Sequence, residues 1–357
     1  MLNFTIGPVM SEDEVLEIAS QSTPYFRTPE FSKIMLENER LMLQFVNAPI
    51  DSRCVFLTAS GTGAMESLVM NVLNDQDNVL VINGGTFGQR FVDLCKLHRR
   101  QFTQIVLPFG HSLTYQDLSA YENQKYTALL INMHETSSGL LYDMEMVSDY
   151  CARNKLLLLV DAISSFIADE IDMSELGISA LITGSQKALA VQPGVSVIAL
   201  APAALERVEH NPECCMYLSL KEALRNGERG QTPFTPAVTT LLQINKRLNA
   251  IAQRGGIGVE KQVIAARALE FRSGIHDLPL QIVPQVCSNA VTAVRVRNHN
   301  AKAVFQVLKD EFQIWICPNG GIYADDVFRV GHIGNITSQQ NEQLLHALHI
   351  LNKRGVL

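Results

Sequence analysis

The sequence has no long apolar run, no basic block and no paired-cysteine spacing, and each absence removes a class of protein. Its longest aliphatic stretches, such as Leu156 to Val160, fall far short of the ~20 residues that span a bilayer. With 29 Lys+Arg against 36 Asp+Glu, the 357-residue chain has a formal charge of −7. Lacking clustered cations to track a phosphate backbone, it is not expected to bind nucleic acid. Its seven cysteines are an odd number without C-x-x-C spacing, and the adjacent Cys214 and Cys215 match no metal-ligand pattern. They read as reduced, mostly buried thiols of a cytoplasmic protein. The segment Met1 to Pro8 has neither the basic start nor the apolar stretch of an export signal. Charged residues make up 18%, below the usual ~25%, which points to surface covered in an oligomer.

What is present describes a packed protein. Hydrophobic residues make up 47%, inside the globular range, so a core can form. The length exceeds the roughly 250–300 residues at which cores divide. Near-continuous apolar runs end in small or polar residues and are followed by helical spacing. Val55 to Ala59 runs into Ser60-Gly61-Thr62-Gly63, Val79 to Ile82 into Asn83-Gly84-Gly85, and Ala128 to Ile131 into Asn132. Leu156 to Val160 meets Asp161, Ala180 to Ile182 meets Thr183-Gly184-Ser185, and Val195 to Leu200 follows. Such strands predict an α/β fold with a mostly parallel sheet covered on both faces, its ligands beyond the carboxyl ends of the strands. A helical pattern runs from Thr235 to Gly255-Gly256. Beyond it come a helix over Val259 to Arg272 and strand candidates Leu280 to Val283, Ala290 to Val296, Ile314 to Cys317 and Val327 to Val330. They describe a smaller α+β domain. The expected organisation is a large domain over 16–254 and a small one over 255–357, with residues 1–15 packing on the latter.

Four features could carry chemistry. Ser60-Gly61-Thr62-Gly63 lies between a strand and a helix, where free backbone N–H groups form an anion cradle. As a dinucleotide motif it fails, because Glu66 takes the place of the third glycine. Asp161 ends an apolar strand and needs a cationic partner, or serves as a helix cap. Lys187 follows a strand and a small polar turn; it is a surface lysine, or an amine desolvated enough to attack a carbonyl. Arg329 alternates with apolar neighbours and either faces water or grips a carboxylate bidentately. His134 and Glu135 have no clear third ligand, so no metal is assigned. One cofactor uses cradle, acid, lysine and arginine together: pyridoxal phosphate.

With these residues in place the sequence resembles the class V aminotransferases of fold type I, in the branch of alanine–glyoxylate, serine–pyruvate and 2-aminoethylphosphonate–pyruvate aminotransferases. The resemblance runs from Gly7-Pro8 to Gly334. It implies that Lys187, in Thr183-Gly184-Ser185-Gln186-Lys187-Ala188-Leu189, is the Schiff-base residue, with Gln186 beside it in the cofactor site. Val160-Asp161-Ala162-Ile163-Ser164-Ser165 implies Asp161 at the pyridine nitrogen, and Ser60, Gly61 and Thr62 the phosphate turn. Gly85-Thr86-Phe87-Gly88-Gln89-Arg90 implies Phe87 stacked on the cofactor ring, where Tyr or Trp often stands. His134 to Gly139 implies Thr136 near the ring hydroxyl. In Gln231-Thr232-Pro233-Phe234-Thr235-Pro236, Thr235 is the residue implied to reach a partner's phosphate in a homodimer. Thr232 stands where some relatives have Tyr. Phe328-Arg329-Val330-Gly331-His332-Ile333-Gly334 implies Arg329 as the substrate grip. The implied activity transfers an amino group from a small donor such as alanine or serine to glyoxylate or pyruvate. The alternatives are 2-aminoethylphosphonate as donor or, from another class, a non-PLP nucleotide-binding protein or an inactive scaffold. Lyases and desulfurases of the family use a late loop cysteine; Cys317 ends a strand here and is expected to be buried.

Overall fold

A computed structural model describes residues 1–357. Seven strands form the main sheet: β1 (Arg53–Leu57), β2 (Asn78–Asn83), β3 (Gln101–Val106), β4 (Ala128–Asn132), β5 (Leu157–Asp161), β6 (Ile178–Gly184) and β7 (Ser196–Leu200). Their order is β1-β7-β6-β5-β4-β2-β3. β7 is antiparallel to both neighbours and every other pair is parallel. The apolar runs have no polar alternation because both faces are covered. Leu80, Ile82, Leu158 and Val160 face one helical layer, while Val79, Val81 and Leu159 face the other. This is the α/β sheet expected from the sequence.

β1, β2, β4, β5 and β6 all run in the same direction, so their carboxyl ends share one edge. Thr58 to Gly61, Asn83 to Phe87, Asn132 to Thr136, Asp161 and Ser185 to Lys187 therefore emerge side by side.

A second, antiparallel sheet has the order β8-β9-β11-β10, from β8 (Leu280–Ile282), β9 (Val291–Val296), β10 (Cys317–Pro318) and β11 (Val327–Gly331). Phe271, Val294, Val304, Phe328 and Leu344 pack in its core, beneath helices Ile257–Gly274, Ala301–Glu311 and Ser338–Lys353. The N-terminal segment bridges the two sheets. Leu2–Asn3 pairs in parallel with Ile314–Trp315, and Phe4 accepts a hydrogen bond from the Gly331 N–H at 2.7 Å. Val9 N–H then donates to the Gln186 carbonyl of the large sheet's edge at 3.3 Å.

Three local expectations are corrected. The strand candidate Ile314 to Cys317 splits, since Ile314–Trp315 pairs with the N-terminus while Cys317–Pro318 pairs with β11. The helix expected from Thr235 begins at Val238, because Pro236 lacks an N–H and holds its predecessor out of the helical region. Only Cys54, Cys95 and Cys151 are buried; Cys214 is exposed, and Cys215, Cys287 and Cys317 are intermediate. Those four lie in loops or on an edge strand, outside the packed layers. All seven thiols are free. No helix is long and apolar enough to cross a membrane.

Candidate active site

Asp161 closes β5 with its carboxylate under the shared edge, 5% exposed. One oxygen accepts the Ile163 N–H at 2.8 Å. Burial pushes its pKa up to about 7 and Glu135 adds to the rise, while the Ile163 N–H, Lys187 and Arg90 oppose it. A buried carboxylate in that state is a ready acceptor for a cationic N–H.

Lys187 sits in the turn after β6. Its Nζ donates to the Ile6 carbonyl at 2.7 Å. Burial pulls its pKa down to about 8, against the pull of Asp161. Roughly a tenth of the amine is then neutral at pH 7, far more than for an exposed lysine. Gly7 has φ +126°, and a Cβ there would lie 2.9 Å from Lys187 Cδ. The N-terminal segment thus lies directly on the lysine stem, and only glycine fits between them.

Helix Gly61–Asn71 starts just beyond β1. The N–H groups of Gly61, Thr62 and Gly63 find no acceptor in the chain, and the Ser60 hydroxyl makes no cap. A Cβ on Gly61 would overlap Ile163, so the open helix end lies against the turn that follows Asp161. Three aligned donors at a helix start are what an anion requires.

Helix Thr86–Leu97 follows β2 and has the opposite arrangement. Thr86 N–H donates to Ser137 Oγ at 3.2 Å, and Phe87 and Gly88 N–H donate to Glu135 Oε2 at 3.2 and 3.1 Å. Glu135, fully buried, also accepts from Ser137 Oγ at 2.5 Å and Asn132 Nδ2 at 3.1 Å. Phe87 is thereby fixed at the shared edge.

Thr136 Oγ1 lies 2.5 Å from Ser164 Oγ, both residues buried. Arg329 on β11 turns inward rather than to water. Its Nη1 donates to the Thr136 carbonyl at 3.2 Å, and Nη2 to the Pro318 carbonyl at 2.9 Å and to Cys317 Sγ at 3.3 Å. Cys317 is therefore half-buried beside the guanidinium, not a core thiol. Burial lowers the Arg329 pKa, and its Nε has no partner.

The other expected residues make contacts of their own. The Gln186 carbonyl holds Val9. Thr235 is exposed in a segment anchored where Ala237 N–H donates to Thr58 Oγ1 at 3.0 Å. The Thr232 hydroxyl is occupied within its own turn by the Phe234 carbonyl at 2.8 Å. Sequence reasoning missed Glu135 and Arg90, whose partners lie 48 and 28 residues away. His134 is buried with both ring nitrogens unpartnered, and burial and the charges of Lys187, Arg329 and Arg272 lower its pKa to about 3. No group of three His, Cys, Asp or Glu side chains converges to hold a metal.

The arrangement fits pyridoxal phosphate on the structure's own terms. The orphaned N–H groups suit its phosphate, Asp161 its ring nitrogen, and the partly neutral Lys187 its aldehyde.

Comparison with known proteins agrees. Residues 19–321 match the family model "Aminotransferase class-V". The serine–glyoxylate aminotransferase of Arabidopsis thaliana is 27% identical over 94% of this chain and 86% of its own length. The L-aspartate–glyoxylate aminotransferase of Paracoccus denitrificans is 26% identical over the same shares. The alanine–glyoxylate aminotransferase structure from Nostoc sp. superposes with a TM-score of 0.91 at 25% identity, covering 98% of this chain and 94% of that one.

Proposed function

We propose substrates and residue roles for this chain, which belongs to the class V aminotransferase family and is a pyridoxal phosphate-dependent transaminase. The donor is a small amino acid such as alanine or serine, and the acceptor is glyoxylate or pyruvate. Relatives that use glyoxylate support the acceptor. The observation that carries the substrate class is Arg329, which reaches across from the small sheet to Thr136 above the large one. A guanidinium so placed holds the acid group common to donor and acceptor.

When bound, pyridoxal phosphate supplies an aldehyde and a ring that draws electrons from the substrate's α carbon. The chain's residues do the rest. Gly61, Thr62 and Gly63 hold the phosphate through their free N–H groups, with Ser60 alongside. Asp161 would keep a proton on the ring nitrogen, Phe87 would stack on the ring, and Thr136 would sit beside its hydroxyl. Lys187 would hold the aldehyde through Nζ. When free, the same amine would act as the acid/base that moves the substrate's α proton, a role its lowered pKa suits. Gln186 supports this turn. In a cytoplasmic homodimer, Thr235 of each chain reaches the other's phosphate.

The test is spectral. Purified protein should absorb visibly, lose that band with borohydride, and change spectrum with alanine or serine and back with glyoxylate or pyruvate. Lys187→Ala should abolish the borohydride-sensitive band. A panel including aspartate and 2-aminoethylphosphonate ranks donors. A faster half-reaction with the phosphonate would replace the donor assignment, and absence of any band after incubation with the cofactor would remove the roles altogether.

A further inference from the structure

Arg90 occupies a position that links the two halves of the cofactor site. It lies one turn into helix Thr86–Leu97, one residue beyond Gln89 and on the Phe87 side. Its guanidinium carbon sits 4.9 Å from the centre of the Phe87 ring. Its Nη1 donates to Thr62 Oγ1 at 3.0 Å. This one side chain touches both the aromatic residue and the open helix end. Its charge is also felt at Asp161 and Lys187, lowering the pKa of each.

The hydrogen bond has a direction, and the direction matters. Thr62 Oγ1 can accept from one donor and still donate its own proton. Because Arg90 can only donate, the Thr62 hydroxyl acts as the acceptor in this pair. Its own proton is then free to point at whatever sits on the unpaired N–H groups of Gly61, Thr62 and Gly63. A hydroxyl that accepts from a guanidinium is also a stronger donor, since the two hydrogen bonds polarise each other. At the other end, the flat guanidinium lies against Phe87 within cation–π range, which holds that ring while Glu135 holds its backbone.

We infer that Arg90 is a positioning residue that aims the Thr62 hydroxyl at the cofactor's phosphate and braces the Phe87 ring, so that phosphate grip and ring platform are set by one side chain. This rests on the reading that the open helix end takes the phosphate. Arg90→Lys keeps the charge but cannot lie flat on Phe87 and donate to Thr62 together.

The experiment uses the full-length protein stripped of cofactor, titrated by absorbance with pyridoxal phosphate and separately with pyridoxal, which lacks the phosphate. Arg90→Met should weaken pyridoxal phosphate about tenfold to a hundredfold and pyridoxal only a few-fold, with Arg90→Lys between Arg90→Met and the parent. Thr62→Val should give a similar phosphate-selective loss. The double variant Arg90→Met/Thr62→Val should lose little more than the worse single variant, because both act through one hydroxyl. Thermal unfolding of each cofactor-free variant checks that the fold survives. Additive losses, or equal weakening of both ligands by Arg90→Met, would overturn the positioning role while leaving the phosphate site intact. A Thr62→Val variant with unchanged preference for the phosphorylated ligand would overturn that role as well, whereas a parent protein that binds pyridoxal as tightly as pyridoxal phosphate would instead remove the phosphate reading beneath it.

Discussion

Two helices begin at the same edge of the large sheet, one strand apart in sequence, and their N-termini are finished in opposite ways. Helix Thr86–Leu97 is sealed by Glu135, whose carboxylate takes the Phe87 and Gly88 N–H groups. Helix Gly61–Asn71 leaves the N–H groups of Gly61, Thr62 and Gly63 without acceptors. Both ends carry the positive pole of a helix and both favour an anion. The chain brings its own anion to one and leaves the N–H groups of the other unpaired. The sealed end fixes the Phe87 backbone; the open end is the one proposed to receive the phosphate. A helix start is thus a binding site only where the protein declines to cap it.

Breaking the seal should have the largest effect. Glu135→Ala leaves the N–H groups of Phe87, Gly88 and Ser137 and the Asn132 amide unpaired in a buried place. The expected loss is about 3–5 kcal/mol, since each orphaned buried donor costs about 1–3 kcal/mol and relaxation recovers part. For a chain of this size that is roughly a 4–7 °C fall in Tm, read by thermal unfolding without cofactor. A fall of only a degree or two would mean that the seal is not structural.

The glycines of the two ends sharpen the contrast. A Cβ on Gly61 would meet the tip of the Ile163 side chain, whereas one on Gly88 would lie 2.7 Å from the Ile82 carbonyl and Asn83 Cα. Side-chain overlap can be relieved and backbone overlap cannot. Gly61→Ala should cost about 1–3 kcal/mol and weaken cofactor binding at least tenfold, with much of both recovered in Gly61→Ala/Ile163→Val. Gly88→Ala should not be rescued by any neighbouring trim. Rescue of the second, or none of the first, would show that the two ends are packed alike.

The comparison also marks what the sequence could and could not tell. Strands β2, β4, β5 and β6 were legible because their apolar runs are covered on both faces. β3 was not, since it is an edge strand that buries only Ile105. Ser60 to Gly63, Asp161 and Lys187 stand out as candidates because each ends such a run, and the sheet brings those ends to one edge. The seal and the brace do not. Glu135 meets Phe87 across 48 residues and Arg90 meets Thr62 across 28, and no local pattern in a sequence announces a contact made by sheet order. Cys317 was misjudged for the same reason: its neighbour Arg329 arrives from the adjacent antiparallel strand.

Lys187 supplies a test by pH. Its pKa is lowered to about 8 by burial, so the amine is mostly protonated below that value and mostly neutral above it. Only the neutral form attacks an aldehyde. The rate at which cofactor-free protein develops its visible band should therefore climb close to tenfold between pH 6 and 7, less steeply to pH 8, and level off above. A rate that keeps climbing towards the ordinary lysine value of ~10.4 would mean that the open end and its lysine are more solvated than the structure shows.

The smallest expected effect is also the most discriminating. Ser at a helix N-cap normally accepts a backbone N–H, and its replacement by Ala costs about 1 kcal/mol. Thr28 is such a cap, accepting the Phe31 N–H at 3.2 Å at the start of helix Pro29–Phe45. Ser60 holds the N-cap position of helix Gly61–Asn71 but makes no such bond. Ser60→Ala should therefore cost the cofactor-free protein less than about 0.5 kcal/mol, while Thr28→Ala costs the usual amount. With cofactor the order should reverse. Anything that binds only the folded state stabilises it in proportion to the logarithm of its affinity, so a hydroxyl reserved for the phosphate shows its loss only when phosphate is present. Thr28→Ala should lower Tm equally with and without pyridoxal phosphate, and Ser60→Ala should lower it mainly with. Equal shifts for Ser60→Ala in both states would mean that its hydroxyl caps the helix after all, and that this end is less open than its unpaired N–H groups indicate.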